Sequence, residues 1–274
     1  MDSLIAIISV GVIGTVLGVV IGIVAKVFAV DVDERIEQVE EMLPGANCGG
    51  CGFAGCADFA KGVVAEKATP AQCPVCSRED VVAISDYLGI AAEEKEKMVA
   101  LVRCSGDIPN TQRSLYNGVR DCQSAVLVAG GAKGCDYGCL GFGSCAEACP
   151  FGAIEMRAGL AIVHKDLCVG CENCVAACPK ELIKMVPAAA TTHVYCNSPE
   201  KGAAKRKVCQ TACIACRKCV KASGEEDYME IDGFLIRSNY ENPPSADLVE
   251  AAACPTTALR VDTEHAKGAY GGEA

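Results

Sequence analysis

Histidine is scarce in these 274 residues: only His164, His193 and His265 occur, scattered along the chain. We read them as ordinary surface or core residues. Glycine is abundant, at 28 residues, yet no phosphate loop and no G-x-G-x-x-G after a strand is present. Neither nicotinamide nor flavin is therefore expected on this chain. No nucleophile with an accompanying base is recognisable. Positive charge is also in deficit, and the net charge of -10 gives no reason to expect nucleic acid. It would repel an acidic partner unless docking were local. The N-terminus lacks the basic start, short apolar core and small-residue cleavage site of a signal peptide, because only Asp2 precedes its apolar run.

Cysteine is present in excess, with 21 residues, more than packing alone would place. A secreted disulfide scaffold and a metal-filled reduced compartment are the two settings that explain such a count. The odd number, the spacings and the missing signal peptide select the reduced, cytosolic one. The cysteines divide the chain into small modules, each short of a large core and dependent on metal for folding.

The densest run lies between Cys135 and Cys178. It reads Cys135, Cys139, Cys145, Cys149-Pro150, then Cys168, Cys171, Cys174, Cys178-Pro179. The second half has the bacterial spacing in which three close thiolates hold one 4Fe-4S cluster and the fourth, before proline, reaches the other. On that crossing rule Cys135, Cys139, Cys145 and Cys178 bind one cluster, and Cys149, Cys168, Cys171 and Cys174 bind the second. The first half has longer gaps, which makes Cys139 its weakest member. Soft thiolates on a tight loop suit iron and sulfur, and the proline stops a helix from running through the loop.

Upstream, Cys48, Cys51, Cys56 and Cys73-Pro74 sit among glycines and apolar residues, a second kind of four-thiolate site. The spacing alone leaves zinc open, and Cys76 is an alternative to Cys73. Downstream, Cys213, Cys216 and Cys219 repeat the ferredoxin spacing, and Cys254-Pro255-Thr-Thr-Ala-Leu echoes Cys149-Pro150-Phe-Gly-Ala-Ile. Ser223, Pro244, Asp247 and Glu250 stand where the other four thiolates would be. This is a half-degenerate ferredoxin repeat holding one cluster, on Cys213, Cys216, Cys219 and Cys254.

The first segment runs from Leu4 to Ala25 without a charge, about the length that crosses a bilayer as a helix. Gly14, Gly18 and Gly22 share one face, where a partner helix would approach closely. Lys26 and Arg35, mixed with Asp31, Asp33 and Glu34, set the orientation poorly; oxygen-sensitive clusters place the body in the cytoplasm. Ile36, Val39 and Leu43 then predict a juxtamembrane helix ending at Pro44.

The apolar anchor, L-P-G-A-N-C-G-G-C-G-F-A-G-C from Leu43, R-C-S-G around Cys104, Y-N-G-V-R-D-C ending at Cys122, and G-C-D-Y-G-C-L-G-F-G-S-C-A-E-A-C-P-F-G-A-I from Gly134 together resemble the B subunit of the Rnf complex, from the N-terminus to about Pro187. The resemblance implies a membrane-bound, ion-translocating oxidoreductase that takes electrons from reduced ferredoxin, with NAD the acceptor in many members and other acceptors in archaeal ones. Its partners would be membrane subunits and soluble ferredoxin. The four-cysteine module is also similar to that of corrinoid iron-sulfur proteins, but a cobamide-binding barrel has no room here. A membrane-anchored polyferredoxin of another respiratory complex is the remaining alternative.

Cys76, Cys104, Cys122, Cys196 and Cys209 are left over. Buried structural thiols are one reading; a further metal site involving Cys104 and Cys122 is another. Lys201, Lys205, Arg206, Lys207, Arg217, Lys218 and Lys221 crowd around the last repeat, either as a solvated loop or as a landing patch for ferredoxin. The fold expected is α+β: a transmembrane anchor at 1–30, a four-cysteine 4Fe-4S module at 31–90, a connecting segment at 91–134, a two-cluster ferredoxin domain at 135–190, a half-degenerate one at 191–262 and a flexible tail at 263–274.

Overall fold

The computed structural model describes residues 2–27, 33–94, 96–111, 114–128 and 130–266. Most of the expected tail, 267–274, lies outside them. The first element is the helix α1 (Asp2–Val27). Its described side chains from 11 to 24 are apolar or small and exposed all round. Among the described residues no helix is long and apolar enough to cross a membrane.

The four-cysteine module is helical. It contains α2 (Glu34–Met42), α3 (Cys56–Val64) and α4 (Arg78–Leu88). Asn47 Oδ1 accepts the Cys56 backbone N–H at 2.8 Å, capping α3 from outside its own segment. Ser77 and Asp80 close a reciprocal capping box on α4, and Gly89, left-handed at φ 70°, ends it as helix C-termini often require. Val39, Phe59, Val63, Val81 and Ile84 form the core, with Phe53 edge-on to Phe59 at 5.4 Å. Gly62 has no side chain because the Phe53 ring fills that place; a Cβ would meet it at 2.6 Å.

Two ferredoxin-type units follow, each with a pair of outer strands and an inner hairpin. In the first, β1 (Met98–Val102) runs to α5 (Ile108–Thr111), α6 (Cys122–Leu127) and α7 (Ser144–Glu147), then the hairpin of β2 (Ile154–Arg157) and β3 (Leu160–Val163), then α8 (Asn173–Ala177) and β4 (Ile183–Pro187). β1 pairs antiparallel with β4, from Met98 opposite Pro187 to Val102 opposite Ile183. β1 lies in the expected connecting segment, 91–134, which thus supplies an outer strand of the unit. In the second unit β5 (Thr192–Val194) leads to α9 (Gly202–Val208), α10 (Lys218–Ser223), the hairpin of β6 (Met229–Asp232) and β7 (Leu235–Ser238), α11 (Asp247–Ala252), β8 (Leu259–Val261) and α12 (Asp262–Ala266). β5 and β8 pair as β1 and β4 do. The internal duplication read from the cysteines is thus repeated in strand order. Each unit has its own apolar core.

Candidate iron-sulfur centres

Three loops share one backbone conformation. In each, a cysteine stands in a short helix: Cys145 in α7, Cys174 in α8 and Cys219 in α10. Four and two residues before it, the chain is left-handed: Gly141 and Gly143 at φ 86° and 88°, Gly170 and Glu172 at 78° and 63°, Ala215 and Arg217 at 54° and 60°. Non-glycine residues in this region cost roughly 1 kcal/mol or more each. Ala215, Arg217 and Glu172 hold it because the loop must wrap its centre. In the second and third loops cysteines stand six and three residues before the helical one, at Cys168 and Cys171 and at Cys213 and Cys216. In the first, Cys139 is six before, but Phe142 occupies the middle position.

Cys122, at the start of α6, fills that gap. A cavity with about 380 Å³ of empty space is lined by Cys122, Cys139, Cys145 and Cys178, and burial pushes the Cys145 thiol up to about 12, with Cys139, Cys122 and Cys178 adding to it. The expected set of Cys135, Cys139, Cys145 and Cys178 therefore does not assemble: Cys135 faces a different cavity. The short helix of Cys122 is placed by its Asp121 N-cap, whose carboxylate accepts the Ser124 N–H at 2.7 Å, and the Cys122 N–H donates to Ser144 Oγ at 2.9 Å. Spacing along the chain could not reveal it, since Cys122 lies outside the motif.

The thiols of the other expected sets are placed as follows. Burial pushes Cys174 up to about 12, with Cys168, Cys171 and Cys149 adding to it. Cys213, Cys216, Cys219 and Cys254 line a cavity with about 350 Å³ of empty space, where burial pushes Cys219 to about 11 beside Cys213, Cys254 and Cys216. In the helical module Cys51, Cys56 and Cys73 belong to one packed cluster that also takes in Cys76, and Cys48 lies toward Cys171. Backbone N–H groups donate to sulfur at 3.4 Å, from Ala100 to Cys168 and from Ala153 to Cys149.

These donor sets fit iron-sulfur clusters. They are soft, sulfur-only and thiol rather than disulfide. Among the described residues no group of three or more His, Cys, Asp or Glu is placed to hold a single metal ion. With thiols raised by burial, iron must displace their protons on binding, coupling metal loading to folding.

Of the basic residues, Lys201, Arg206, Lys207, Arg217, Lys218 and Lys221 are exposed. Lys205 is not: it is 1% exposed, with its ammonium donating to Phe234 O at 2.6 Å. It belongs to the interior and to no docking surface.

Residues 43–75 match the family model "Putative Fe-S cluster" and residues 134–183 match "4Fe-4S dicluster domain". The chain is 44% identical over 201 residues, 72% of its length and 71% of the relative's, to the B subunit of the proton-translocating ferredoxin:NAD(+) oxidoreductase complex of Clostridium ljungdahlii. It is 45% identical over 199 residues, 72% of its own length and 75% of the relative's, to the B subunit of the ion-translocating oxidoreductase complex of Methanosarcina acetivorans. To the B subunit of the Na(+)-translocating ferredoxin:NAD(+) oxidoreductase complex of Acetobacterium woodii it is 39% identical over 204 residues, 74% of this chain and 61% of the relative. Ferredoxin-type loops, a separate iron-sulfur module and identity over most of both chains meet in one conclusion: this chain belongs to the Rnf B-subunit family, found in ion-translocating oxidoreductase complexes.

Proposed function

We propose that this iron-sulfur electron-transfer component of an Rnf complex accepts electrons from reduced ferredoxin and passes them to membrane-bound partner proteins, completing no reaction of its own. The observation that carries the reading is the pair of cavities each lined by four cysteines, Cys122, Cys139, Cys145 and Cys178 in one and Cys213, Cys216, Cys219 and Cys254 in the other. We assign Cys48, Cys51, Cys56 and Cys73 to one cluster, Cys149, Cys168, Cys171 and Cys174 to a second, Cys122, Cys139, Cys145 and Cys178 to a third, and Cys213, Cys216, Cys219 and Cys254 to a fourth. A 4Fe-4S cluster, once bound, supplies reversible one-electron exchange at each. The chain's own part is to hold the sets in series and keep water off. Cys48 adjoins Cys171, and Cys174 adjoins Cys145.

Entry beside the last set is supported by charge. Arg217 and Lys218 line the cavity of Cys213 and Cys254, Cys216 is exposed there, and Lys201, Arg206, Lys207 and Lys221 are exposed on the same unit. An acidic ferredoxin would meet local positive charge on a negative protein. The membrane anchor is α1. A helix apolar on every side has no polar face to give to water, and an added Cβ at Gly14, Gly18 or Gly22 would meet nothing, leaving that face open to a partner helix. The cluster-bearing body then lies on the cytoplasmic side.

Stopped-flow oxidation of reduced ferredoxin by membranes with and without this chain tests the reading. Ferredoxin oxidation should require the chain with its iron. Equal rates without it would overturn the proposal. Deleting residues 1–29 should release a soluble protein that keeps its iron; loss of iron would make α1 part of the cluster fold and not an anchor.

A further inference from the structure

Cys104, Cys135, Cys196 and Cys209 come from four separate stretches: just after β1, before the first cluster loop, just after β5, and just after α9. They line one cavity, as the thiols of two of the sets above line theirs. Their proximity also shows in charge, since Cys104, Cys209 and Cys196 all act on Cys135. We propose that these four thiolates hold a fifth 4Fe-4S cluster, seated between the two ferredoxin units. The proposal rests on the electron-transfer reading above and deepens it.

The surroundings of this cavity are made for negative charge. Lys133 is 5% exposed and lines it, donating to Gly106 O at 2.9 Å and to Gly159 O at 2.5 Å. Lys205, on the same wall, donates to Phe234 O. Neither has a carboxylate partner among the ion pairs of the described residues. Two buried ammonium groups answered only by carbonyl oxygens are costly unless an anion lies near. Four thiolates on a cluster are that anion. Gly106 stands at the same wall: a Cβ there would meet Thr111 Cγ2 at 2.8 Å and stand 3.3 Å from Cys209 Sγ.

Plain packing gives no reason for four thiols from four separate stretches to line one cavity. Continuity argues in the same direction. The Cys139 N–H donates to Cys104 Sγ at 3.4 Å, which joins the cavity to the third set. Cys213 is among the groups acting on Cys196, which joins it to the fourth.

The test is iron counting on the full-length chain, produced anaerobically in detergent, together with the number of centres reducible in a titration followed by electron paramagnetic resonance. The expected result is about twenty irons per chain, at four per cluster, with Cys104→Ser and Cys209→Ser each lowering the count by about four and removing one reducible centre. Should both variants fail to fold, the wild-type count and the number of its reducible centres decide. About sixteen irons in the wild type, with or without one zinc, overturns the fifth cluster and leaves the four-cluster assignment standing. A count well below sixteen overturns the underlying assignment too.

Discussion

Gly50 lies against the backbone of Cys171: a Cβ at residue 50 would stand 2.9 Å from Cys171 Cα and 2.8 Å from Pro74 Cγ. Asn173 Nδ2 closes the same seam by donating to Cys48 O at 3.2 Å. The helical module therefore docks edge to edge on the first ferredoxin unit, two cysteine sets face to face. Replacing Gly50 by Val forces these backbones apart. Overpacking of this kind costs about 1–3 kcal/mol. The expected outcome is a protein with unchanged iron, a lower denaturation midpoint and slower electron exchange between the module and the rest. Unchanged exchange would mean the seam is not the route.

Exchanging ligands across the first loop separates two assignments. If Cys122 completes the set of Cys139, Cys145 and Cys178, then Cys122→Ser should remove or alter that centre, with about four irons lost. Cys135→Ser should leave its spectrum in place. The reverse pattern would restore the crossing rule read from spacing alone.

Charge reversal at Arg206, Lys207, Lys218 and Lys221 should slow ferredoxin association several-fold at low ionic strength and flatten its salt dependence, because rim charges act chiefly on the encounter. Iron content should not change. Lys205 must be left alone: a Glu there would set a carboxylate against Phe234 O in the interior, and the protein should lose stability for a reason unrelated to docking. Equal rates for the fourfold variant at low salt would reject the patch.

Acid should loosen the junction of the two ferredoxin units. His193 Nδ1 pairs with Tyr240 Oη at 3.1 Å and Nε2 lies 3.5 Å from Lys165 Nζ, which in turn holds Asp262 at 2.6 Å. Burial, then Lys165, lowers the His193 pKa to about 4 from 6.5. Burial, then Arg260, lowers His265 to about 3, where its ring stacks on Tyr195 at 3.8 Å. Both rings are neutral when folded and take up protons first when unfolded. Stability is therefore full above about pH 6.5 and falls as pH drops toward 4, by about 2 kcal/mol per ring between pH 7 and 5. Denaturation midpoints measured across that range check the slope, and His265→Phe should flatten part of it. A flat profile for the unmodified chain would show that neither ring stays neutral.

The ferredoxin duplication was legible because its signal is local: Cys-Pro endings and three-residue spacings mark each loop within a dozen residues. The grouping of Cys104, Cys196 and Cys209 at one cavity and of Cys122 at another was not, because each is delivered by a strand or helix end whose position depends on long-range pairing. β1 reaches the cavity only by pairing with β4, more than 80 residues on, and carries Cys104 with it. Phe142 was the one local clue, standing where a middle cysteine belongs and implying a substitute from elsewhere. Lys205 misled for the opposite reason. In a run of three basic residues on α9 it is the one turned inward, a matter of helical phase against the core.

Cys135 and Cys196 share a cavity although they belong to different copies of the duplicated fold, and this bears on how the protein is made. On the ribosome the first unit is complete once β4 has emerged, yet the wall it offers at Cys104 and Cys135 is half a site until Cys209 follows. If this cavity holds a cluster, that cofactor can be inserted only into the joined pair, and its insertion would lock a finished chain and leave a truncated one open.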